Sequence, residues 1–183
     1  MFGLEGDSRL LIAFFSDFNC RNCRVLDAIL LEYDAANPGT IRIVRQELPL
    51  LGAASKTANK AVLAADRQGS HRAMHDRLMR TRMVTDLSLI VTTAEAVGLD
   101  GQRLIADMQS PEIEMTLNKA RAIASVFGFY GTPSTVIGST VFLGTIPAAD
   151  VRQIIQAEMD LSQRGCALNR RPDRSNQVSQ SLP

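Results

Sequence analysis

An α/β fold, with a block of helices set between a βαβ half and a ββα half, is predicted by three observations. The apolar run Leu10-Leu11-Ile12-Ala13-Phe14-Phe15 opens the chain's order as a strand buried on both faces. Residues from Ser55 to about Ser125 are helical in character. Two short β-type runs, Ser134 to Ile137 and Thr140 to Leu143, then lie on either side of Gly138-Ser139, a two-residue loop suited to a tight hairpin.

Taken in order, Leu10 to Phe15 reads as a central strand, because charge precedes it and Ser16-Asp17 follows it. Asp17-Phe18-Asn19-Cys20 then offers polar capping candidates, and Val25, Leu26, Ile29, Leu30 and Tyr33 recur at helical spacing. Asn37-Pro38-Gly39 ends that helix, and Ile41 to Leu48 resumes a strand. A unit of this kind pairs its strands in parallel through a right-handed crossover. The helical block divides at Gln68-Gly69-Ser70, around Val84-Thr85-Asp86, at Gly98-Leu99-Asp100-Gly101 and at Ser110-Pro111, which makes four or five helices. Pro111 sits at a first-turn position with Glu112 beside the positive end of the helix dipole, and Gly128 ends that helix. After the antiparallel hairpin, Asp150 opens a last amphipathic helix carrying Val151, Ile154, Ile155 and Met159 on one face. The expected division is a single domain over 1–163, with the helical insert at about 55–125, and a polar, loose tail over 164–183.

Composition narrows the function. A chain of 183 residues with 45% hydrophobic content can bury roughly 70% of its unfolded surface in one core. Its 20 basic and 19 acidic residues nearly cancel, so no nucleic-acid partner is indicated. The apolar run near the start is too short to span a membrane and lacks the flanks of an export signal. The chain therefore reads as soluble, either cytosolic or the mature form of an exported protein.

Three cysteines cannot make a framework of paired structural disulfides, and only Cys20 and Cys23 are close in sequence. Cys20-Arg21-Asn22-Cys23 falls where a buried strand gives way to a helix. The first N–H groups of that helix lack intrahelical partners and point at the first sulfur, which favours its thiolate. Arg21 and Arg24 add positive charge nearby. Cys20 is then the nucleophile toward a disulfide and Cys23 the less accessible, resolving thiol. The competing use of such a pair is half a zinc site, completed by His71 and His75 one helical turn apart. Their distance from Cys23 is far longer than finger spacing, and packing or capping a helix is the plainer role for these histidines. A second constellation, Gly131-Thr132-Pro133-Ser134, places a proline immediately before a strand, where it suits a turn or a cis peptide bond.

The segment Phe14 to Cys23, the segment Glu47-Leu48-Pro49-Leu50-Leu51-Gly52 with Ser55, and Gly131-Thr132-Pro133-Ser134 together resemble the DsbA-like thiol-disulfide oxidoreductases of the thioredoxin superfamily, ScsC-type relatives included. The similarity runs from about Leu10 to Met159. It implies a thioredoxin fold with an all-helical insertion, and an enzyme exchanging disulfides with protein substrates and with a redox partner protein. It also implies that Pro133 is cis and faces the Cys20 sulfur, that the Thr132 backbone pairs with an extended substrate, that no cofactor is required, and that the setting is a bacterial periplasm or cell envelope.

The sequence departs from that family in two places. Arg21-Asn22 replaces the dipeptides common between the cysteines, so the direction of exchange is left open. Phe14 stands where many thioredoxin-fold proteins carry a relay acid, and the nearest acid, Asp17, fits a turn or cap equally well. Two other readings fit the same residues: a glutathione-dependent isomerase or transferase of the same superfamily, and a metal-binding module using Cys20 and Cys23. Cys166, beyond the last helical stripe, reads as an unpaired thiol without a role.

Overall fold

The computed structural model describes residues 9–84 and 86–169, with side chains given through Arg164. Strand β1 (Leu10–Ser16), helix α1 (Arg21–Ala36) and strand β2 (Ile41–Glu47) form the first half. Helices α2 (Ala53–Asp66), α3 (His71–Arg80), α4 (Leu87–Ala96), α5 (Gly101–Asp107) and α6 (Pro111–Val126) follow, then β3 (Ser134–Ile137), β4 (Thr140–Leu143) and α7 (Ala148–Asn169). The fold class is thus the predicted one, with five helices between the halves.

The four strands make one mixed sheet in the order β2-β1-β3-β4. β1 pairs with β2 in parallel and with β3 antiparallel, so the apolar run at the start of the chain is an interior strand. Alternation along β1 divides the core. Ile12 and Phe14 join Leu26 and Leu30 of α1 and Val151 and Ile155 of α7, whereas Phe15 joins Leu48, Ala124 of α6 and Phe129. The two faces of the sheet are therefore covered by different helices, with α1 and α7 on one and α6 on the other. A strand covered on both faces must be apolar on both, which is why β1 reads as a continuous hydrophobic run.

The last helix runs on to Asn169, past Arg164 where the sequence suggests a tail. Nothing between Arg164 and Asn169 breaks a helix as proline does, so loss of the apolar stripe ends the buried face before it ends the helix. The remainder of the expected tail, 170–183, lies outside the described residues.

Candidate active site

The site forms where β1 ends and its antiparallel neighbour β3 begins. β1 stops at Ser16, and the chain crosses to α1 in a loop held by two side chains. Asp17, fully buried, accepts from the backbone N–H of Asn19 with Oδ1 (2.9 Å) and from those of Leu50 and Leu51 with Oδ2 (2.9 and 3.1 Å). It thereby ties the first loop to the segment following β2. Asn19 reaches further along the chain: its Nδ2 donates to the Val84 carbonyl (3.0 Å) and its Oδ1 accepts from the Val84 N–H (2.7 Å). This two-bond clamp joins the redox loop to the connection between α3 and α4.

Cys20 is itself the N-cap of α1, with extended backbone angles and a sulfur that accepts from the Cys23 N–H at 3.2 Å. Of the polar candidates in that loop, the cysteine takes the cap, while Asp17 and Asn19 serve longer-range contacts. Cys20 keeps 7% of its surface exposed and Cys23 none, so Cys20 is the more accessible of two buried cysteines. Both are free thiols.

The second half of the chain brings up the opposing loop. Gly128 takes a left-handed φ of 69° after α6, and the Gly128 and Phe129 N–H groups return to the Ser125 and Ala124 carbonyls, which closes the helix in a Schellman arrangement. Phe129 then packs edge-on against Phe15, 5.2 Å between ring centres. From that anchor the chain turns into Thr132–Pro133, whose peptide bond is cis. Ser134 Oγ donates to the Gly131 carbonyl and the Gly144 N–H to the Pro133 carbonyl, both at 2.7 Å, which fixes the loop from either side. The Cys20 sulfur lies 3.3 Å from the Thr132 carbonyl oxygen, as donor.

Electrostatics separate the two thiols. Cys20 is drawn down from 9.0 to about 6, chiefly by the hydrogen bond from the Cys23 thiol, with the Cys23 N–H, the Thr132 side chain and the Asn22 N–H adding to it against the opposing effect of burial. Cys23 is pushed far upward, first by burial and then by its partner sulfur, so it holds its proton. Arg21 and Arg24 are not among the main influences on Cys20. The Arg24 guanidinium instead turns back to the Phe18 carbonyl (2.9 Å), so helix-terminal hydrogen bonds rather than arginine charge favour the thiolate.

Behind the site lies a polar cluster. His75 is fully buried, 5.4 Å edge-on from Phe18, and its Nε2 accepts from Arg45 Nε (3.0 Å) while Nδ1 faces Asp76 Oδ1 (3.3 Å). Arg45 also pairs with Asp27 at 3.1 Å. Burial and the nearby arginine hold His75 neutral, down to about 3. Its ring nitrogens are thus committed within the protein, and His71 stacks on it at 6.1 Å with Nε2 3.8 Å from Glu47 Oε1. Among the described residues no three His, Cys, Asp or Glu side chains converge as a metal-ligand set. The sequence carried one signal of this cluster: Asp27 falls on the same buried stripe of α1 as Cys23 and Leu30. The partners of Asn19 and Asp17 left no such mark, because they lie 65 and more than 30 residues away.

The sequence profile of the DSBA-like thioredoxin domain matches residues 11–156. The chain belongs to that family. A thioredoxin-like oxidoreductase from Silicibacter pomeroyi DSS-3 is 30% identical, covering 84% of this chain and 88% of its own, with a TM-score of 0.79. The catalytic domain of Proteus mirabilis ScsC is 24% identical over 85% of this chain and 86% of its own (TM-score 0.74), and shares the fold. So does a periplasmic thioredoxin-like protein from Salmonella enterica serovar Typhimurium, 22% identical over 85% and 87% (TM-score 0.72). No curated protein matches the sequence. Among the described residues of this DsbA-like chain, no helix is long and apolar enough to cross a membrane.

Proposed function

We propose that this DsbA-like protein exchanges disulfides with protein substrates, with Cys20 as the attacking and attacked sulfur and Cys23 as the resolving one. One observation carries the reading: the sulfur of the more accessible cysteine caps α1, takes the Cys23 N–H at 3.2 Å, and stands 3.3 Å from the cis-proline loop. The thiolate at Cys20 provides the nucleophile near neutral pH. Substrate attack on the oxidised pair forms a mixed disulfide at Cys20 and releases Cys23, and the reverse sequence reduces a substrate disulfide. Thr132 and Pro133 present backbone to an extended substrate segment next to the sulfur, as a strand edge does.

Because only the dithiol form gains from the thiolate, the pair should be more oxidising than about −270 mV, the value of thioredoxin. Equilibration with glutathione buffers measures this directly, and a reduced, unstructured peptide containing two cysteines serves as substrate. A protein in which Cys20→Ala retains exchange activity would refute the assignment. The family setting supports the cell envelope as the working compartment, with a separate redox protein restoring the pair. Fractionation of cells expressing the full gene tests that placement.

A further inference from the structure

Cys23 needs somewhere to send its proton. Its sulfur has no exposed surface, and burial favours the protonated thiol, yet resolution requires the thiolate. The other side chains of the redox loop and of the buried cluster behind it are largely unable to help. Phe14 and Phe18 are apolar, the Asp17 carboxylate is held by three backbone N–H groups, Asp27 is paired with Arg45, and His75 has both ring nitrogens engaged.

One buried carboxyl on the same side is left without a hydrogen bond. Glu47, the last residue of β2, is 3% exposed, and neither of its oxygens has a hydrogen-bond partner in the protein. It shares the parity of Ile41 and Arg45, which meet α1, so its side chain leaves the sheet on the face where α1 carries Cys23. Directly across from it in the parallel register is Ser16, fully buried, whose hydroxyl is likewise unpartnered. The next residue, Asp17, points its N–H at the Cys23 sulfur. The titratable and charged groups around Glu47 are Arg45 on its own strand, Asp27 from α1, and His71 from α3, whose Nε2 stands 3.8 Å from Oε1, too far for a hydrogen bond. Burial outweighs the pull of His71 and Arg45 and raises the Glu47 carboxyl above its ordinary range.

We propose that Glu47 is the proton store of Cys23, with the Ser16 hydroxyl, unpartnered in the dithiol protein, turning to bridge the two as the proton moves. The assignment rests on the exchange reading above. In resolution, the Cys23 S–H passes its proton to the Glu47 carboxylate, the Cys23 thiolate attacks Cys20 Sγ, the Cys20–Cys23 bond forms, and the bond from Cys20 to the departing thiolate breaks. The pair is oxidised and the departing sulfur reduced. In the opposite direction the protonated Glu47 carboxyl returns the proton to the Cys23 thiolate as the disulfide opens. Glu47 is a positioning residue for the proton, since it does not touch the sulfurs.

The test mixes the dithiol protein rapidly with glutathione disulfide and follows release of the second glutathione, which reports Cys23 attack, across pH. Glu47→Gln should slow that step roughly a hundredfold at neutral pH and make it rise steadily with hydroxide, while the alkylation profile of Cys20 stays put. Ser16→Ala should slow the same step, and Glu47→Asp should recover most of the rate. A folded Glu47→Gln protein with the wild-type rate and pH profile overturns the proposal. Should that variant not fold, isotope-labelled glutamate in the wild-type protein gives the answer by NMR: a Glu47 titration that differs between oxidised and dithiol forms is expected, and identical titrations overturn it. A wild-type protein that forms no mixed disulfide with glutathione rejects the exchange reading itself, whereas normal resolution beside an unaffected Glu47→Gln rejects the proton store alone.

Discussion

The depressed acidity constant of Cys20 makes a sharp prediction about stability. An acid whose folded value lies below its unfolded one stabilises the fold above the unfolded value, and that contribution is lost as the pH falls through the folded value. For Cys20 the window runs from about 9 down to about 6. A shift from 9.0 to about 6 is worth about 4 kcal/mol at most, and about 2 kcal/mol at pH 7.5, where the native thiol is almost fully ionised and the unfolded one almost fully protonated. Cys23, pushed the other way, does not ionise in this window. The perturbation is Cys20→Ser, which keeps an oxygen to cap α1 but does not titrate. Urea unfolding of the reduced proteins at pH 5.5 and 8.5 should show the wild-type advantage over Cys20→Ser growing by about 3 kcal/mol between the two. The oxidised protein, whose sulfurs do not titrate, should lack that increment. Iodoacetamide alkylation of Cys20 should have its midpoint near pH 6. A midpoint near 9, or an advantage that changes by less than about 0.5 kcal/mol, would refute a Cys20 thiolate stabilised by the fold.

Three further outcomes are expected. Asn19→Ala strips both partners from the Val84 backbone and should cost about 2 kcal/mol in urea unfolding, with raised hydrogen exchange at Val84. His75 is a base held neutral to about 3, so the unfolded state takes up its proton first as the pH falls below about 6.5 and stability declines toward pH 3; His75→Gln should remove about 2 kcal/mol of the loss between pH 6.5 and 4.5. Gly138 occupies a left-handed φ of 57° against the Glu158 carboxylate, which accepts from the Ser139 N–H and from the Ser139 and Thr140 hydroxyls. Gly138→Ala should therefore lower stability by about 2 kcal/mol, read as a fall in Tm, without altering Cys20 alkylation.

Legibility in the sequence follows the range of each interaction. The strands and helices announce themselves through local periodicity, and their order is recoverable because Pro, Gly and polar clusters punctuate it at Asn37-Pro38-Gly39, Gln68-Gly69-Ser70 and Ser110-Pro111. Cys20, Cys23, Thr132 and Pro133 stand out as short motifs with chemical meaning. What stays hidden is whatever depends on two distant segments meeting. Asp17 looks like a turn residue until the N–H groups of Leu50 and Leu51 come to it, and Asn19 looks like a cap until Val84 arrives. Arg24 departs from expectation for a related reason: a charge close in sequence to the sulfur spends itself on the nearest carbonyl. The unpartnered state of Glu47 is less visible still, since it is defined by contacts that other residues make and it does not.

The paired hydrogen bonds between Asn19 and Val84 bear on how this architecture can be taken apart. The helices between the two halves are not a detachable ornament, because one of their connections grips the turn that presents the reactive sulfur. A chimera that trades this block for a shorter linker, or for the helices of a cousin, would leave the Asn19 amide facing open space and the sulfur's turn unbraced. Segment-swapping experiments should accordingly move Asn19 and the Val84 connection together, as one heritable joint.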